Sequence, residues 1–212
     1  MSDASARKPA STSAKVRFDE LSAAMMRCER CAALVRTRSR VVPGAGAMPA
    51  TVAFIGLAPG RFGGDRTGVP FDGDRSGAML RRMIRIAGLR RVFITNVVRC
   101  NPRDAAGRNR DPAAGEIANC RGHLRAELEL ARPRIVACLG KVAWRELAGR
   151  AAPFTPEAPR LATVGGMRLF AMYHPAYVIR GAYPESSYAR DFARLADLVR
   201  SPAASGRAVA PD

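Results

Sequence analysis

The sequence lacks long apolar runs and an apolar segment at its start, and these absences argue against a membrane protein and a secreted one. No run approaches the ~20 consecutive apolar residues of a membrane-spanning helix. The opening residues, MSDASARKPASTSAKVR, lack the apolar segment of a secretory signal, so we expect a cytoplasmic protein. Apolar residues nevertheless make up 48% of the chain, which argues against a disordered protein and for one with a sizeable core.

Acidic residues and lysines are scarce as well. The chain has 18 Asp and Glu against 35 Lys and Arg, a net charge of +17. Only Lys8, Lys15 and Lys141 are lysines, which leaves 32 arginines. Such a surplus predicts a polyanionic partner, nucleic acid rather than a membrane surface. The alternative interpretation is a basic surface that only keeps the protein in solution.

The length of 212 residues suits one domain with tails. Residues 1–15 read as a disordered basic arm and 201–212 as a disordered tail, which leaves 16–200 as the domain. Short apolar runs predict strands, and periodic stretches between them predict helices at 76–89, 113–131, 141–147 and 186–199. The predicted fold class is α/β, a three-layer α/β/α domain with a central, mostly parallel four-stranded sheet over 50–57, 92–98, 134–140 and 167–175.

Three segments of unusual composition follow the predicted strands. They cover residues 56–77, which are rich in glycine, residues 96–103 and residues 173–180. In open α/β sheets the ligand site lies beyond the carboxyl ends of the strands. The sequence therefore predicts one functional site built from these three segments.

Five cysteines are present. Cys28 and Cys31 form a C-x-x-C pair, which lets two thiolates reach one metal from a single turn. With Cys100 and Cys120 they make a candidate four-cysteine site for zinc or an iron–sulfur cluster, the alternative being unrelated free thiols. An intracellular setting argues against disulfides. Cys138 lies inside an apolar run and reads as a small buried hydrophobic residue.

Three motifs make the sequence resemble the uracil-DNA glycosylase superfamily. They are GLAPGRFGGDRTGVPFDGDRSG, ITNVVRCNPR with the later NC pair at 119–120, and YHPAYVIR. Together with the cysteine spacing they are similar to the branch that carries a [4Fe–4S] cluster, over residues 28–198. The resemblance implies a uracil-DNA glycosylase-like fold and a structural [4Fe–4S] cluster, or less favourably zinc, on Cys28, Cys31, Cys100 and Cys120.

The function implied by this resemblance is DNA repair. Such an enzyme hydrolyses the N-glycosidic bond of uracil, and of further deaminated bases such as hypoxanthine, and leaves an abasic site in DNA. We expect a monomer that works on DNA containing deaminated bases, with no membrane partner, at the nucleoid of a bacterial-type cytoplasm.

The subtype is divided between two patterns. Type 4 enzymes usually have Glu where this chain has Leu57, and GLAP, DRTG and GDRSG look more like type 5, which tends to accept more bases. Gly60 stands where type 5 usually has Ala, and Pro70-Phe71, Asn96 and the HPAY stretch are nearer type 4. The sequence favours a type 5-like enzyme, with a type 4-like enzyme restricted to uracil as the alternative.

The resemblance also implies roles in the base pocket. A glycosylase flips the nucleotide out of the stack and reads its Watson–Crick edge. Phe71 is the candidate stacking residue, Asn96 the reader of O4 and N3–H, and His174 the donor to O2 of the departing base. Gly56, Leu57 and Ala58 are expected to line the pocket. The alternatives are a hydrophobic plug for Phe71, a turn contact for Asn96 and a core or capping role for His174.

Water activation and DNA contacts complete the predicted site. Asp74 and Asp65 are the carboxylates expected to orient water and offset positive charge on the sugar. Asp74 could instead cap a helix that starts near Ser76. Arg103, Tyr177 and Arg180 are predicted to contact DNA.

Two other functions remain as alternatives. A non-catalytic, metal-stabilised nucleic-acid-binding module would fit the charge, the cysteines and Leu57. A small-molecule enzyme with a phosphate loop fits poorly, because the glycine-rich segment does not match G-x-x-x-x-G-K-[ST].

Overall fold

A computed structural model describes residues 13–149, 153–154 and 161–201. The predicted arm and tail lie outside these ranges, except for residues 13–15 and 201. The first helix begins at Ala14, so the structured part starts within the predicted arm. The helices are α1 Ala14–Met26, α2 Ala32–Thr37, α3 Gly64–Thr67, α4 Arg75–Ile86, α5 Ala114–Ala131, α6 Lys141–Ala148, α7 Pro175–Ile179 and α8 Glu185–Arg200. The strands are β1 Ala45–Gly46, β2 Val52–Gly56, β3 Val92–Asn96, β4 Ile135–Leu139, β5 Leu161–Val164 and β6 Met167–Met172.

The sheet is mixed, with the order β1-β3-β2-β4-β6-β5. The four inner strands β3, β2, β4 and β6 run parallel, as predicted. The predicted count of four strands is wrong, because β1 and β5 add an antiparallel strand at each edge and make six. A Gly165–Gly166 turn with positive φ at both residues joins β5 to β6, as a tight hairpin requires.

Alternate residues of the inner strands face two separate helical layers. In β2, Ala53 and Ile55 pack with the core under α1, α5 and α6, whereas Val52 and Phe54 pack with the core under α4 and α8. Burial on both faces explains why the inner strands are nearly continuous apolar runs. The predicted three-layer α/β/α arrangement is confirmed. Within the described residues, no helix is long and apolar enough to cross a membrane.

The strand ends bring the predicted functional segments together. Gly56 at the end of β2 lies in register with Asn96 at the end of β3. The ladder continues beyond both strands, where Val97 donates to the carbonyl of Gly56 at 2.8 Å and Val98 to that of Leu57 at 2.9 Å. His174 follows β6 and starts α7. The site therefore rests on the most buried strands of the sheet.

Candidate active site

A cavity of about 620 Å³ opens at the carboxyl ends of the parallel strands. This volume lies within the range of small-molecule sites. We call it the central cavity; the predicted site residues that line it are Leu57, Ala58, Phe71, Asp74, Asn96, His174, Tyr177 and Arg180. The predicted residues that do not line it are Gly56, Asp65, Arg103 and the four cysteines.

The side-chain amide of Asn96 is buried without a partner. Asn96 is 1% exposed, and neither its Oδ1 nor its Nδ2 has a hydrogen-bond partner among the described residues. An unsatisfied buried polar group costs about 1–3 kcal/mol, and most such groups in native proteins are paired. An amide that presents one acceptor and one donor at a cavity can pair with a ligand edge that presents the complementary donor and acceptor.

Gly56 lies behind the cavity wall rather than in it. A Cβ at this position would come within 2.5 Å of Oδ1 of Asn96 and of Cε2 of Phe71. Glycine is therefore required for these two side chains to pack side by side. The predicted lining role of this residue belongs to Leu57 and Ala58 instead.

Phe71 forms a wall of the cavity from a strained backbone position. Its φ is 53°, a left-handed conformation that is uncommon for a bulky residue. Its carbonyl packs against Gly77 of α4 so closely that a Cβ on Gly77 would overlap it. The ring lies 5.5 Å from the His174 ring, centroid to centroid. The alternative of a hydrophobic plug is partly correct, since the ring also belongs to the core under α4.

His174 is both a helix cap and a cavity residue. Its Nδ1 accepts a hydrogen bond from the N–H of Ala176 at 3.2 Å, so in the neutral ring the proton resides on Nε2. Burial, with a smaller contribution from the Arg180 charge, lowers the pKa of His174 to about 4. The imidazole is therefore neutral near pH 7 and offers an Nε2–H donor at the cavity.

Asp74 caps α4, as the alternative interpretation anticipated. Its Oδ1 accepts a hydrogen bond from the N–H of Gly77 at 2.8 Å. Its Oδ2 points towards Gly60 and Gly63, where a Cβ on Gly63 would overlap it. Capping occupies one carboxylate oxygen, and Asp74 also lines the central cavity.

Asp65 is placed away from the cavity, in a buried ion pair. Its carboxylate binds the guanidinium of Arg103 and accepts hydrogen bonds from the N–H of Ser39 at 3.0 and 3.2 Å. Arg103 also donates to Oδ1 of Asn101 at 2.8 Å. The geometry does not support the predicted catalytic role of Asp65 or DNA contact by Arg103. The pair ties the glycine-rich loop to the segment after β3.

Tyr177 and Arg180 lie at the mouth of the central cavity. Tyr177 is 44% exposed and stacks on Tyr173, with ring centroids 5.4 Å apart. The Arg180 guanidinium lies over the Tyr177 ring at 5.2 Å. A cation and an aromatic ring in this arrangement form an exposed surface on which a nucleotide base can stack.

Sequence reasoning missed a buried ion pair beside Asn96. Arg99 and Glu127 are 1% and 0% exposed, and Nη2 of Arg99 lies 2.6 Å from Oε2 of Glu127. Glu127 also accepts from the N–H of Gly44 at 2.7 Å and from the Thr95 hydroxyl at 2.6 Å. Arg99 donates to the backbone carbonyl of Asn96. A signal was present, because Glu127 follows Leu124 by three positions and so lies on the buried face of α5.

The four predicted cysteine ligands are neighbours in space. Burial raises the pKa of the Cys100 thiol to about 11, with Arg38 acting in the opposite direction and with smaller raising contributions from Cys120 and Cys28. Burial likewise raises the pKa of Cys120, with contributions from Cys31 and Cys28. Cys138 lies in β4, and its pKa is raised by burial alone. The fifth cysteine therefore stands apart from the other four, as predicted.

The donor set suits a soft metal group. Arg38 donates to Sγ of Cys100 at 3.4 Å, and Asn119 donates to Sγ of Cys31 at 3.3 Å. Such N–H donors to sulfur stabilise thiolate ligands. In the described part of the chain, no three His, Cys, Asp or Glu side chains are arranged to hold a single metal ion. Four cysteine thiols are the donor set that iron–sulfur clusters use in proteins.

The fold and the cavity define a class of α/β protein with a ligand site at the ends of its parallel strands. The sequence profile of the Uracil DNA glycosylase superfamily matches residues 43–195. The chain is 34% identical to the type-4 uracil-DNA glycosylase of Archaeoglobus fulgidus, over 85% of this chain and 92% of that protein. It is 35% identical to the type-5 uracil-DNA glycosylase of Pyrobaculum aerophilum, over 75% of this chain and 82% of that protein.

The chain belongs to the uracil DNA glycosylase superfamily. The resemblance carried by the three motifs is therefore confirmed. A type-4 enzyme of Thermotoga maritima is also 34% identical, over 73% of this chain and 80% of that protein. Because relatives of both types match at nearly equal identity, overall similarity does not assign the subtype.

Proposed function

We propose that this protein is a uracil-DNA glycosylase that hydrolyses the N-glycosidic bond of uracil in DNA and leaves an abasic site. The observation that carries this proposal is the buried, unpartnered amide of Asn96 at the central cavity. Family membership supports it, since the relatives named above are uracil-DNA glycosylases of types 4 and 5.

Asn96 and Phe71 recognise the flipped base in this proposal. A uracil edge presents O4 as an acceptor and N3–H as a donor, which one side-chain amide can satisfy together. The Phe71 ring supplies the stacking surface. Cytosine presents an N4 amino donor and an unprotonated N3, so the same amide orientation would face two mismatched groups. Asn96 thereby favours uracil over cytosine when its Nδ2 faces O4 and its Oδ1 faces N3–H.

His174 stabilises the departing base. Bond cleavage leaves negative charge on the pyrimidine, and a donor placed where that charge develops lowers the barrier. The Nε2–H of a neutral imidazole serves this role towards O2. The backbone N–H of Ala176 fixes the tautomer, because it occupies Nδ1.

Asp74 acts at the sugar. The transition state carries positive charge on an oxocarbenium-like ring, and a carboxylate near it stabilises that charge and orients a water molecule. The free Oδ2 of Asp74 beside Gly60 fits this role. Asp65 is not proposed for it, since its carboxylate is engaged by Ser39 and Arg103.

The base range is proposed to extend beyond uracil to hypoxanthine and other deaminated bases, in the manner of a type 5 enzyme. Leu57 and Ala58 give this part of the cavity an apolar wall without a carboxylate. An apolar wall rejects an additional ring less strongly than a wall of fixed hydrogen-bonding groups.

A structural [4Fe–4S] cluster is proposed on Cys28, Cys31, Cys100 and Cys120. When bound, it would cross-link the segment between α1 and α2 to the loop after β3 and to α5. Iron and sulfide analysis of protein purified without oxygen tests this assignment, with a visible absorption band expected. Replacing Cys100 by Ala is expected to remove the iron, and replacing Cys138 by Ala to leave it in place. A colourless protein that holds one zinc ion per chain would contradict the cluster.

Tyr177 and Arg180 are proposed to contact DNA at the mouth of the cavity, in a monomer that works at the nucleoid. The test of the function is base excision. Oligonucleotides that contain one uracil, hypoxanthine or xanthine are incubated with the protein, and abasic sites are cleaved with alkali. Breaks at uracil are expected, together with breaks at the deaminated purines. Protein with its full iron content that makes no breaks would instead be a nucleic-acid-binding module.

A further inference from the structure

A second concave region adjoins the central cavity. It has a volume of about 960 Å³, and we call it the outer groove. The two regions share one wall, formed by Gly60, Phe71, Asp74, Ser76, Asn109, Ala176 and Arg180. The outer groove is therefore directly continuous with the central cavity, and a long ligand bound in the cavity can extend into the groove.

The groove is strongly basic. Its lining includes Arg61, Arg75, Arg81 and Arg180 against Asp72 and Asp74. Asp72 lies 3.8 Å from Arg81, and Oδ1 of Asp74 caps α4, so four arginines face two carboxylates in the groove. Arg75 and Arg180 have no acidic partner among the residues that the structure describes. Exposed arginines around a cleft attract phosphates.

An exposed aromatic ring stands at the edge of this groove. Phe62 is 66% exposed, and the Arg61 guanidinium lies 5.1 Å from its ring centroid. Arg61 is itself held, because its Nη1 donates to the carbonyl of Gly107 at 2.8 Å and its backbone N–H donates to Oδ1 of Asn109 at 3.2 Å. A single exposed apolar side chain is common. A ring braced by a fixed arginine beside a basic cleft is the arrangement that stacks on nucleic-acid bases.

We propose that the outer groove binds the nucleotide next to the flipped one on the same DNA strand, with its base stacked on Phe62. Its phosphate lies among Arg61, Arg75 and Arg180. This inference rests on the proposed function and adds a subsite to it. The same strand is favoured because the groove shares its wall with the central cavity, so a strand that delivers a base there continues into the groove without crossing the duplex.

A double cycle of variant and substrate tests the subsite. Single-stranded oligonucleotides carry one uracil and, in turn, an alkali-stable abasic spacer on its 5′ or 3′ side, which removes the neighbouring base and keeps the phosphate. Replacing Phe62 by Ala is expected to lower kcat/KM on the intact oligonucleotide by about 5- to 100-fold, as stacking of one base predicts. On one of the two spacer substrates the variant and the wild type are expected to be nearly equal.

Matched variants separate stacking from folding. Phe62→Trp, which keeps an aromatic face, is expected to retain activity, and Phe62→Leu, which keeps only apolar area, to lose it. Ile86→Ala is the control, because Ile86 is 64% exposed on α4 and does not line the groove. If Phe62→Ala lowers kcat/KM by the same factor on both spacer substrates as on the intact oligonucleotide, the subsite is overturned. An effect of Phe62→Ala that is confined to duplex DNA would also overturn it.

Failure of the subsite is distinguishable from failure of the proposed function. If the wild type excises uracil from neither single-stranded nor duplex DNA, the function is wrong. The same cycle is then measured as oligonucleotide affinity by fluorescence anisotropy. Equal affinity of the wild type and Phe62→Ala for the intact strand would overturn the subsite on its own.

Discussion

Asn96 ends β3 and Arg99 follows it by three positions; both are 1% exposed, but their hydrogen-bonding surroundings are opposite. The guanidinium of Arg99 is well partnered, since it binds Glu127 and the backbone carbonyls of Asn96 and Val97. The amide of Asn96 has no partner within the described ranges. Both side chains are polar and both lie within the fold, so burial alone does not distinguish them.

The difference separates groups that hold the fold from a group that waits for a ligand. A buried charge with all its hydrogen bonds made positions its neighbours. A buried amide with none made lowers stability until a ligand supplies the partners. Because Arg99 donates to the carbonyl of Asn96, the satisfied pair also fixes the backbone from which the unsatisfied amide projects. Substitutions in the Arg99–Glu127 pair should therefore change mainly stability, and substitutions of the cavity residues should change mainly activity.

The largest effect is expected from Glu127→Ala. The variant leaves the Arg99 guanidinium buried without its partner, which costs about 3–5 kcal/mol of the free energy of unfolding. Chemical denaturation measures the loss. Glu129→Ala is the control, since Glu129 is exposed on the same helix. A loss below about 1 kcal/mol would show that the pair does not hold this region.

His174→Ala tests the opposite side of the comparison. Removing one donor to a developing negative charge costs about 10²–10³ in kcat, so uracil release under single-turnover conditions is expected to fall by that factor. The free energy of unfolding should fall only by the ~1 kcal/mol typical of a lost helix cap. His174→Gln retains a neutral N–H donor and should keep more activity. An alanine variant within tenfold of the wild type would remove His174 from the reaction.

Asp74 both caps α4 and is proposed to act at the sugar, and two variants separate these roles. Asn is as good an N-cap as Asp, so Asp74→Asn should keep the stability of α4 while it lowers kcat by about 10²-fold or more through the lost charge. Asp74→Ala should lose the same activity and, in addition, ~1 kcal/mol of stability. Full activity in Asp74→Asn would confine this residue to capping.

The smallest effect concerns pH. The pKa of His174 is lowered by burial to about 4, below the ~6.5 of an unfolded histidine. Neutral His174 therefore contributes stability that is fully present above pH 6.5 and is lost as the pH falls towards 4. Titration of its ring proton by NMR should give a midpoint near 4. A midpoint near 6.5 would mean that the ring is solvated, and the neutral donor would then be absent at mildly acidic pH.

The sequence predicts the inner sheet well because parallel strands buried on both faces leave continuous apolar runs. Edge strands leave weaker signals. β1 has two residues, too few for any periodicity, whereas β5 was readable in principle from the Gly165–Gly166 pair that precedes β6.

Some residues of the site could likewise be predicted from the sequence, and others could not. Motifs at strand ends placed Asn96, Phe71 and His174 at one cavity, because the topology of a parallel sheet brings its carboxyl ends together. The partner of Asp65 was not readable, since Arg103 follows it by 38 positions and only the folded chain brings the two together. Phe62 carried no helical or strand pattern, and its exposure became visible only with the loop in place.

Activity and stability measured together in Asn96→Ala give the most direct test. We expect kcat/KM for uracil excision to fall by at least ~10². The free energy of unfolding should stay within ~1 kcal/mol of the wild type, or rise, because the variant removes two unpartnered buried atoms. A variant that keeps its activity would remove Asn96 from base recognition, and a variant that loses stability in proportion to its activity would place Asn96 among the groups that hold the fold.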